Sequence, residues 1–212
     1  TGAGKTTVVN LLLRLFNVEK NEIYIDGHDI NDLPIKLLRD KIGVVPQDNF
    51  LFSSTIANNI AFFDPENTKR EEIEAAAKIT EVYDNIMEFP EEFDTILGER
   101  GVTLSGGQKQ RISMARAIIK DPKLLILDDS FSSVDTHTEE QILNNLKPVM
   151  QDRTVILISH RISTIKNADI IFVLDEGEIL ERGTHQELIE NEKLYFDIYQ
   201  KQQFEEKIAN IN

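Results

Sequence analysis

Residues 2 to 6 read Gly-Ala-Gly-Lys-Thr, the back half of the phosphate-cradling pattern G-x-x-x-x-G-K-[ST]. Glycines let backbone N–H groups turn inward around phosphate oxygens. Lys5 supplies a positive charge to β- and γ-phosphates, and Thr6 offers a hydroxyl to Mg²⁺. A helix opening here points the positive end of its dipole at the same anion. The first glycine of the pattern would stand two positions before Thr1, so both it and the strand that feeds such a loop are expected to be missing. Taken alone, the run also reads as an ordinary helix-opening turn with a solvated lysine.

Motifs further along the chain decide between the two. Residues 104–108 read LSGGQ and residues 124–129 read LLILDD. Gln47 follows the apolar run 42–45, SSVD occupies 132–135, and His160 follows TVILIS. An ordinary helix cap explains Ser105 but not the Gly-Gly-Gln that continues it. In this order, and over essentially the whole chain, these motifs resemble the ATP-binding-cassette (ABC) ATPases.

The resemblance implies ATP and Mg²⁺ as cofactors and assigns the residues. Gly2, Gly4, Lys5, Thr6 and Thr7 would hold the nucleotide, and Thr6, Gln47 and Asp128 would serve the metal. Asp128 ends an apolar strand, from which a carboxylate reaches Mg²⁺ through water. Ser105, Gly106, Gly107 and Gln108 would contact ATP held by an opposite subunit, so a working site takes two chains. Asp135 would cross that interface. Asp129, His160 and Gln47 would act in catalysis, His160 toward the γ-phosphate and Gln47 also in coupling to a membrane domain. His28, His137 and His185 read as solvated surface residues.

LFSSTIANNIAF at 51–62 and GERG at 98–101 resemble the segments of exporter-type cassettes that meet intracellular helices of the transport domain. That implies an ATPase driving export, attached to a transmembrane domain of the same polypeptide on the cytoplasmic face of a membrane, with a second nucleotide-binding domain as partner.

One position departs from the family. Glu normally follows the strand-end aspartate and polarises the attacking water, whereas this chain has Asp129. The carboxylate is one methylene shorter, a withdrawal of roughly 1.5 Å. Misplacement of about 1 Å can cost about 10²-fold in rate. Slow hydrolysis at this site, within a heterodimer whose other site is competent, is one reading. The other is that a water or a small backbone shift lets Asp129 act as the base.

Positioning these groups requires an α/β fold. Resemblance implies a P-loop NTPase (RecA-like) parallel-sheet core with an inserted α-helical subdomain, the N-terminal antiparallel β-subdomain and the P-loop strand being absent. The expected parts are a partial ATP-binding core at 1–48, a helical subdomain at 49–120, the rest of the core at 121–183 and C-terminal helices at 184–212. Periodicity predicts a helix over Thr7–Phe16 and a strand over Glu22–Asp26 turning at Gly27. It predicts helices over Lys69–Thr80 and Glu81–Met87, and one through Gln110–Ile119 capped by Ser105. Leu124–Leu127 and Thr154–Ile158 are continuous apolar runs, as buried parallel strands require. A helix over Thr138–Met150 joins them. Asp169–Leu174 and Glu178–Glu181 flank a Glu176-Gly177 hairpin turn. The absent strand is expected beside Leu124–Leu127, leaving that apolar flank open, so this chain should bind ATP weakly or not at all and tend to self-associate through the vacated position.

Composition narrows the partners. The 212 residues carry a net charge of −14, which opposes nucleic-acid binding through like-charge repulsion. Relatives of the runner-up type, soluble cassette ATPases acting on nucleic acid or the ribosome, tend to carry long coiled-coil insertions or basic linkers, and this chain has neither. No cysteine is present, so disulfides and cysteine-based zinc sites are excluded.

Overall fold

A computed structural model describes residues 3–98 and 103–209. Gly2 and the Glu99-Arg100-Gly101 run lie outside the described residues. In chain order the elements are α1 (Lys5–Leu12), β1 (Tyr24–Ile25), β2 (His28–Asp29), α2 (Ile35–Asp40), β3 (Ile42–Val45), α3 (Ile56–Ile60), α4 (Arg70–Ile79), α5 (Tyr83–Met87) and a 3₁₀ turn (Glu92–Asp94). Then come α6 (Gly106–Ile119), β4 (Leu124–Asp128), α7 (Thr136–Met150), β5 (Thr154–Ile158), α8 (Ile162–Ile165), β6 (Ile171–Asp175), β7 (Glu178–Gly183), α9 (His185–Glu190) and α10 (Leu194–Ala209). The chain divides into two compact units, Glu19–Ile158 and Thr1–Val18 with Ser159–Asn212.

In the first of these, β3, β4 and β5 form a parallel sheet in that order, with Val45 opposite Leu127 and Asp128 opposite Ile158. Leu125, Ile126 and Leu127 are buried, which is what an uninterrupted apolar strand needs on both faces. Leu125 and Leu127 share one face by the two-residue pleat and pack with Met114 and Ile118 of α6 and Ile142 and Leu146 of α7. The opposite side of α6, through Ile112 and Ala115, packs into a second core with Ile60, Ile73, Ala77 and Phe93. Buried on both sides, α6 joins the sheet to the helical layer.

The other unit holds α1, the β6–β7 hairpin and α8 to α10. The hairpin turns at Glu176 (φ 47°) and Gly177 (φ 83°), two consecutive left-handed residues that match the twist of paired strands. Its core gathers Ile162, Ile171, Leu188 and Tyr195. Among the described residues no helix is long and apolar enough to cross a membrane.

Three expectations need correction. The flank of Leu124–Leu127 is not open: β4 is hydrogen-bonded on both edges, and among the described residues β3 and β5 are the edge strands, Val155–Ile158 of β5 being half-exposed. A strand's apolarity reports burial and not its neighbours, so the order of strands could not be read from it. The first helix spans Lys5–Leu12, because Arg14 turns left-handed (φ 48°) and stops it short of Phe16. His185 is not a solvated residue; its Nδ1 lies 2.8 Å from the Tyr195 hydroxyl, and its ring packs edge-on to Tyr195 and Tyr199.

Candidate functional site

The LSGGQ signature, residues 104–108, leads into the opening of α6. Ser105 is its N-cap (φ −65°, ψ 161°), the extended conformation from which a hydroxyl reaches back to the helix. Ser105 Oγ accepts from the Gln108 N–H at 3.2 Å, and Gln108 Oε1 accepts from the Ser105 N–H at 2.9 Å, a reciprocal capping box. The hydroxyl keeps its own hydrogen to donate. Behind it, the amides of Gly106 and Gly107 have no acceptor among the described residues. Ser105 and Gly106 are exposed. One hydroxyl and two amides therefore stand together at the positive end of a 14-residue helix, a donor set suited to a phosphate.

Close packing also requires the glycines. A Cβ on Gly107 would lie 2.7 Å from the Ser133 carbonyl oxygen, and one on Gly106 would lie 3.3 Å from the Ser133 side chain. Gly107→Ala is expected to destabilise this unit by about 1–3 kcal/mol, the usual cost of overpacking. Urea unfolding measures it, and a midpoint equal to wild type would disprove the contact. Arg111 continues the anchoring, donating to the Gly107 carbonyl at 3.3 Å and to the Glu81 carbonyl.

The carboxylates lie at the C-terminal edge of the parallel sheet. Because Val45 pairs with Leu127, Gln47 leaves β3 at the level at which Asp129 leaves β4. Ligands in open α/β sheets bind at this edge. Asp128 is 3% exposed, Asp129 half-buried, and Gln47 exposed. Asp129 has left-handed backbone (φ 49°), its N–H donating to the Ile158 carbonyl at 2.8 Å. Asp135 is the N-cap of α7, its Oδ1 accepting from the Thr138 N–H at 3.0 Å. That amide, then the Thr138 hydroxyl, holds the Asp135 carboxyl below the usual aspartate range.

The phosphate-loop residues and His160 belong to the other unit. Gly4 adopts φ 89° before α1, a left-handed conformation that glycine reaches without strain, and α1 opens with no side-chain cap. Lys5 is half-buried, while Thr6 and Thr7 are exposed. His160 is exposed, and its loop is held by a residue no motif indicated. Gln202 of α10 donates from Nε2 to the His160 carbonyl at 2.6 Å and accepts at Oε1 from the Ile162 N–H at 2.9 Å.

Among the described residues no three His, Asp or Glu side chains cluster to hold a metal. Gln47 and Asp128, both at the sheet edge, offer an amide oxygen and a carboxylate, oxygen donors of the kind Mg²⁺ accepts while phosphate and water supply its remaining ligands.

Near residues 50–63 lies a second exposed feature. Phe50, Phe52, Phe62 and Phe63 are 66%, 39%, 42% and 54% exposed yet touch in series, with Phe52 and Phe62 stacked at 4.5 Å. Arg116 of α6 stands behind them, 5.5 Å from the Phe52 and Phe62 ring centres, donating to the Asn59 carbonyl at 2.7 Å and the Phe50 carbonyl at 2.9 Å. Residues 95–98 join this surface: the Ile56 N–H donates to the Thr95 carbonyl, and Gly98 packs on Ser53.

The family model described as ABC transporter matches residues 1–132. The chain is 47% identical over 202 residues to an ATP-dependent lipid A-core flippase of Idiomarina loihiensis, covering 95% of this chain and 35% of that protein. It is 48% identical over 192 residues to the heavy metal tolerance protein of Schizosaccharomyces pombe, covering 91% of this chain and 23% of that one. Among solved structures, a bacterial Atm1-family ABC exporter with ATP bound superposes with a TM-score of 0.90 at 42% identity, over 95% of this chain and 35% of that one. The chain thus spans about a third or less of the length of these relatives.

Proposed function

This chain belongs to the ABC transporter family as an exporter-type nucleotide-binding domain, and from that premise we propose that it binds Mg-ATP and couples hydrolysis to export of a substrate across a membrane. The observation that carries the reading is the signature turn, where Ser105 and the Gly106 and Gly107 amides stand together at the opening of a long helix. Such donors match a terminal phosphate presented by another chain.

In this reading Gly2, Gly4, Lys5, Thr6 and Thr7 hold the chain's own nucleotide, Lys5 neutralising its terminal phosphates. Bound Mg²⁺ would offset the charge that develops on the phosphates during transfer. Thr6, Gln47 and Asp128 supply its protein ligands. Asp129 orients the attacking water, and His160 donates toward the γ-phosphate. Ser105 to Gln108 grip the nucleotide of a second nucleotide-binding domain, and Asp135 reaches across the same interface. Asp129, one methylene short, makes this chain's own site the slower one. The assembly is then a heterodimer in which this signature completes the competent site.

The aromatic surface at Phe50, Phe52, Phe62 and Phe63 receives an intracellular helix of the transmembrane domain carried by the same polypeptide. Exposed rings in mutual contact, backed by a guanidinium, suit an apolar helix face with a polar rim. The nucleotide-binding domain therefore works on the cytoplasmic side. The test is transport by the full-length protein in lipid vesicles. It is expected to move substrate only with Mg-ATP, and Phe52→Ser with Phe62→Ser to cut transport about tenfold or more while nucleotide still binds. Transport without ATP would overturn the function. Wild-type transport by the double variant would remove the aromatic surface from it.

A further inference from the structure

The signature turn and the carboxylate turn are fastened to each other by Gln110, one turn into α6 and 3% exposed. Its Nε2 donates to Ser132 Oγ at 2.8 Å, and its Oε1 accepts from the Ser133 N–H at 3.0 Å. The amide is thus satisfied at both ends by the same turn, 22 and 23 residues further along the chain. The backbone adds a second constraint, since Gly107 lies so close to the Ser133 carbonyl that no Cβ fits. The turn held this way begins at Asp129, leaving β4, and ends at Asp135, the cap of α7. Its own hydrogen bonds, Ser132 N–H to the Asp129 carbonyl and Val134 N–H to the Phe131 carbonyl, keep it compact. A buried polar contact of this kind, with a partner on both the nitrogen and the oxygen of the amide, fixes one arrangement, because any slippage leaves desolvated groups unpaired.

We propose that Gln110 is a positioning residue that makes the signature turn and the Asp129–Asp135 turn move as one body. A shift at this chain's own hydrolytic carboxylate is thereby passed to the nucleotide that its signature grips on the partner. Ser132 and Ser133 take part only as the surface on which Gln110 holds. The inference deepens the proposed function and rests on it for the role of the signature.

The test uses the full-length dimer. Gln110→Ala removes both hydrogen bonds. Gln110→Glu keeps an acceptor for the Ser133 N–H and lets the Ser132 hydroxyl donate in place of accepting. Without nucleotide, hydrogen exchange at residues 129–135 is expected to quicken about tenfold in Gln110→Ala and to stay near wild type in Gln110→Glu. With Mg-ATP, Gln110→Ala should lower kcat about tenfold with KM within about twofold, and lower the Hill coefficient toward 1, while Gln110→Glu recovers most of the rate. Unchanged exchange in Gln110→Ala overturns the fastening. Faster exchange with an unchanged Hill coefficient overturns the transmission, as does equal damage from both substitutions with KM rising alongside the loss of kcat. Should the wild-type dimer fail to hydrolyse ATP, the proposed function falls instead, and the exchange measurement still decides whether Gln110 fastens the two turns.

Discussion

Asp129→Glu raises the rate of ATP hydrolysis at this chain's own site by about 10- to 100-fold, read in the full-length transporter with the partner's competent site inactivated. The main chain at this position is held at both ends, the Asp129 N–H on the Ile158 carbonyl and the Asp129 carbonyl accepting from the Ser132 N–H. With the backbone fixed, reach is set by side-chain length, and glutamate adds about 1.5 Å. Restoring a misplacement on that order is worth about 10²-fold. The left-handed backbone (φ 49°) does not forbid the longer residue, since Glu81, Glu92, Glu176 and Glu192 all adopt positive φ in this chain. Rates of the two proteins under saturating Mg-ATP decide the matter. An unchanged or lower rate means that Asp129 already reaches the attacking water, through a second water or a small shift of the turn.

Lys5→Ala weakens Mg-ATP binding at this chain's own site by roughly 10- to 150-fold. The lysine offers a charge-assisted hydrogen bond to phosphate, an interaction of about 1.5–3 kcal/mol, and each 1.4 kcal/mol is tenfold in affinity. Its neighbourhood adds no other cation: Ala3, Gly4, Thr6 and Thr7 are uncharged, so nothing adjacent in sequence replaces it. Fluorescent-nucleotide titration of the full-length protein reads the change. Affinity within about twofold of wild type would remove Lys5 from the nucleotide site.

The parts of the fold that chemistry fixes locally were legible in the residues. Uninterrupted apolar runs marked β4 and β5, Ser105 before Gly-Gly-Gln marked the start of α6, and Glu176-Gly177 marked a hairpin turn. Elements of four to six residues, such as α2, α3 and α8, escaped because they are too short to show a period. Strand order escaped for a different reason. Leu124–Leu127 looks the same whether its neighbours are β3 and β5 or an absent strand, and pairing depends on contacts far apart in sequence. Of the candidate site, the motif residues could be named in advance. Gln110 and Gln202 could not, since what distinguishes them from any helical glutamine is the loop each one meets, Ser132–Ser133 and His160–Ile162. Gly107 lay between these cases: its motif singled it out for nucleotide, while its contact with Ser133 became visible only in three dimensions.

Vanadate-dependent photocleavage of the full-length dimer reads out whether the signature turn of this chain grips a nucleotide held by a second domain. Vanadate trapped with Mg-ADP occupies the γ-phosphate position and cuts the backbone it touches on irradiation. With Lys5→Ala placed in this chain alone, cleavage of this chain is expected within Ser105–Gly107, because the partner's nucleotide is intact. Cleavage confined to phosphate loops, with residues 105–107 uncut, would contradict that grip.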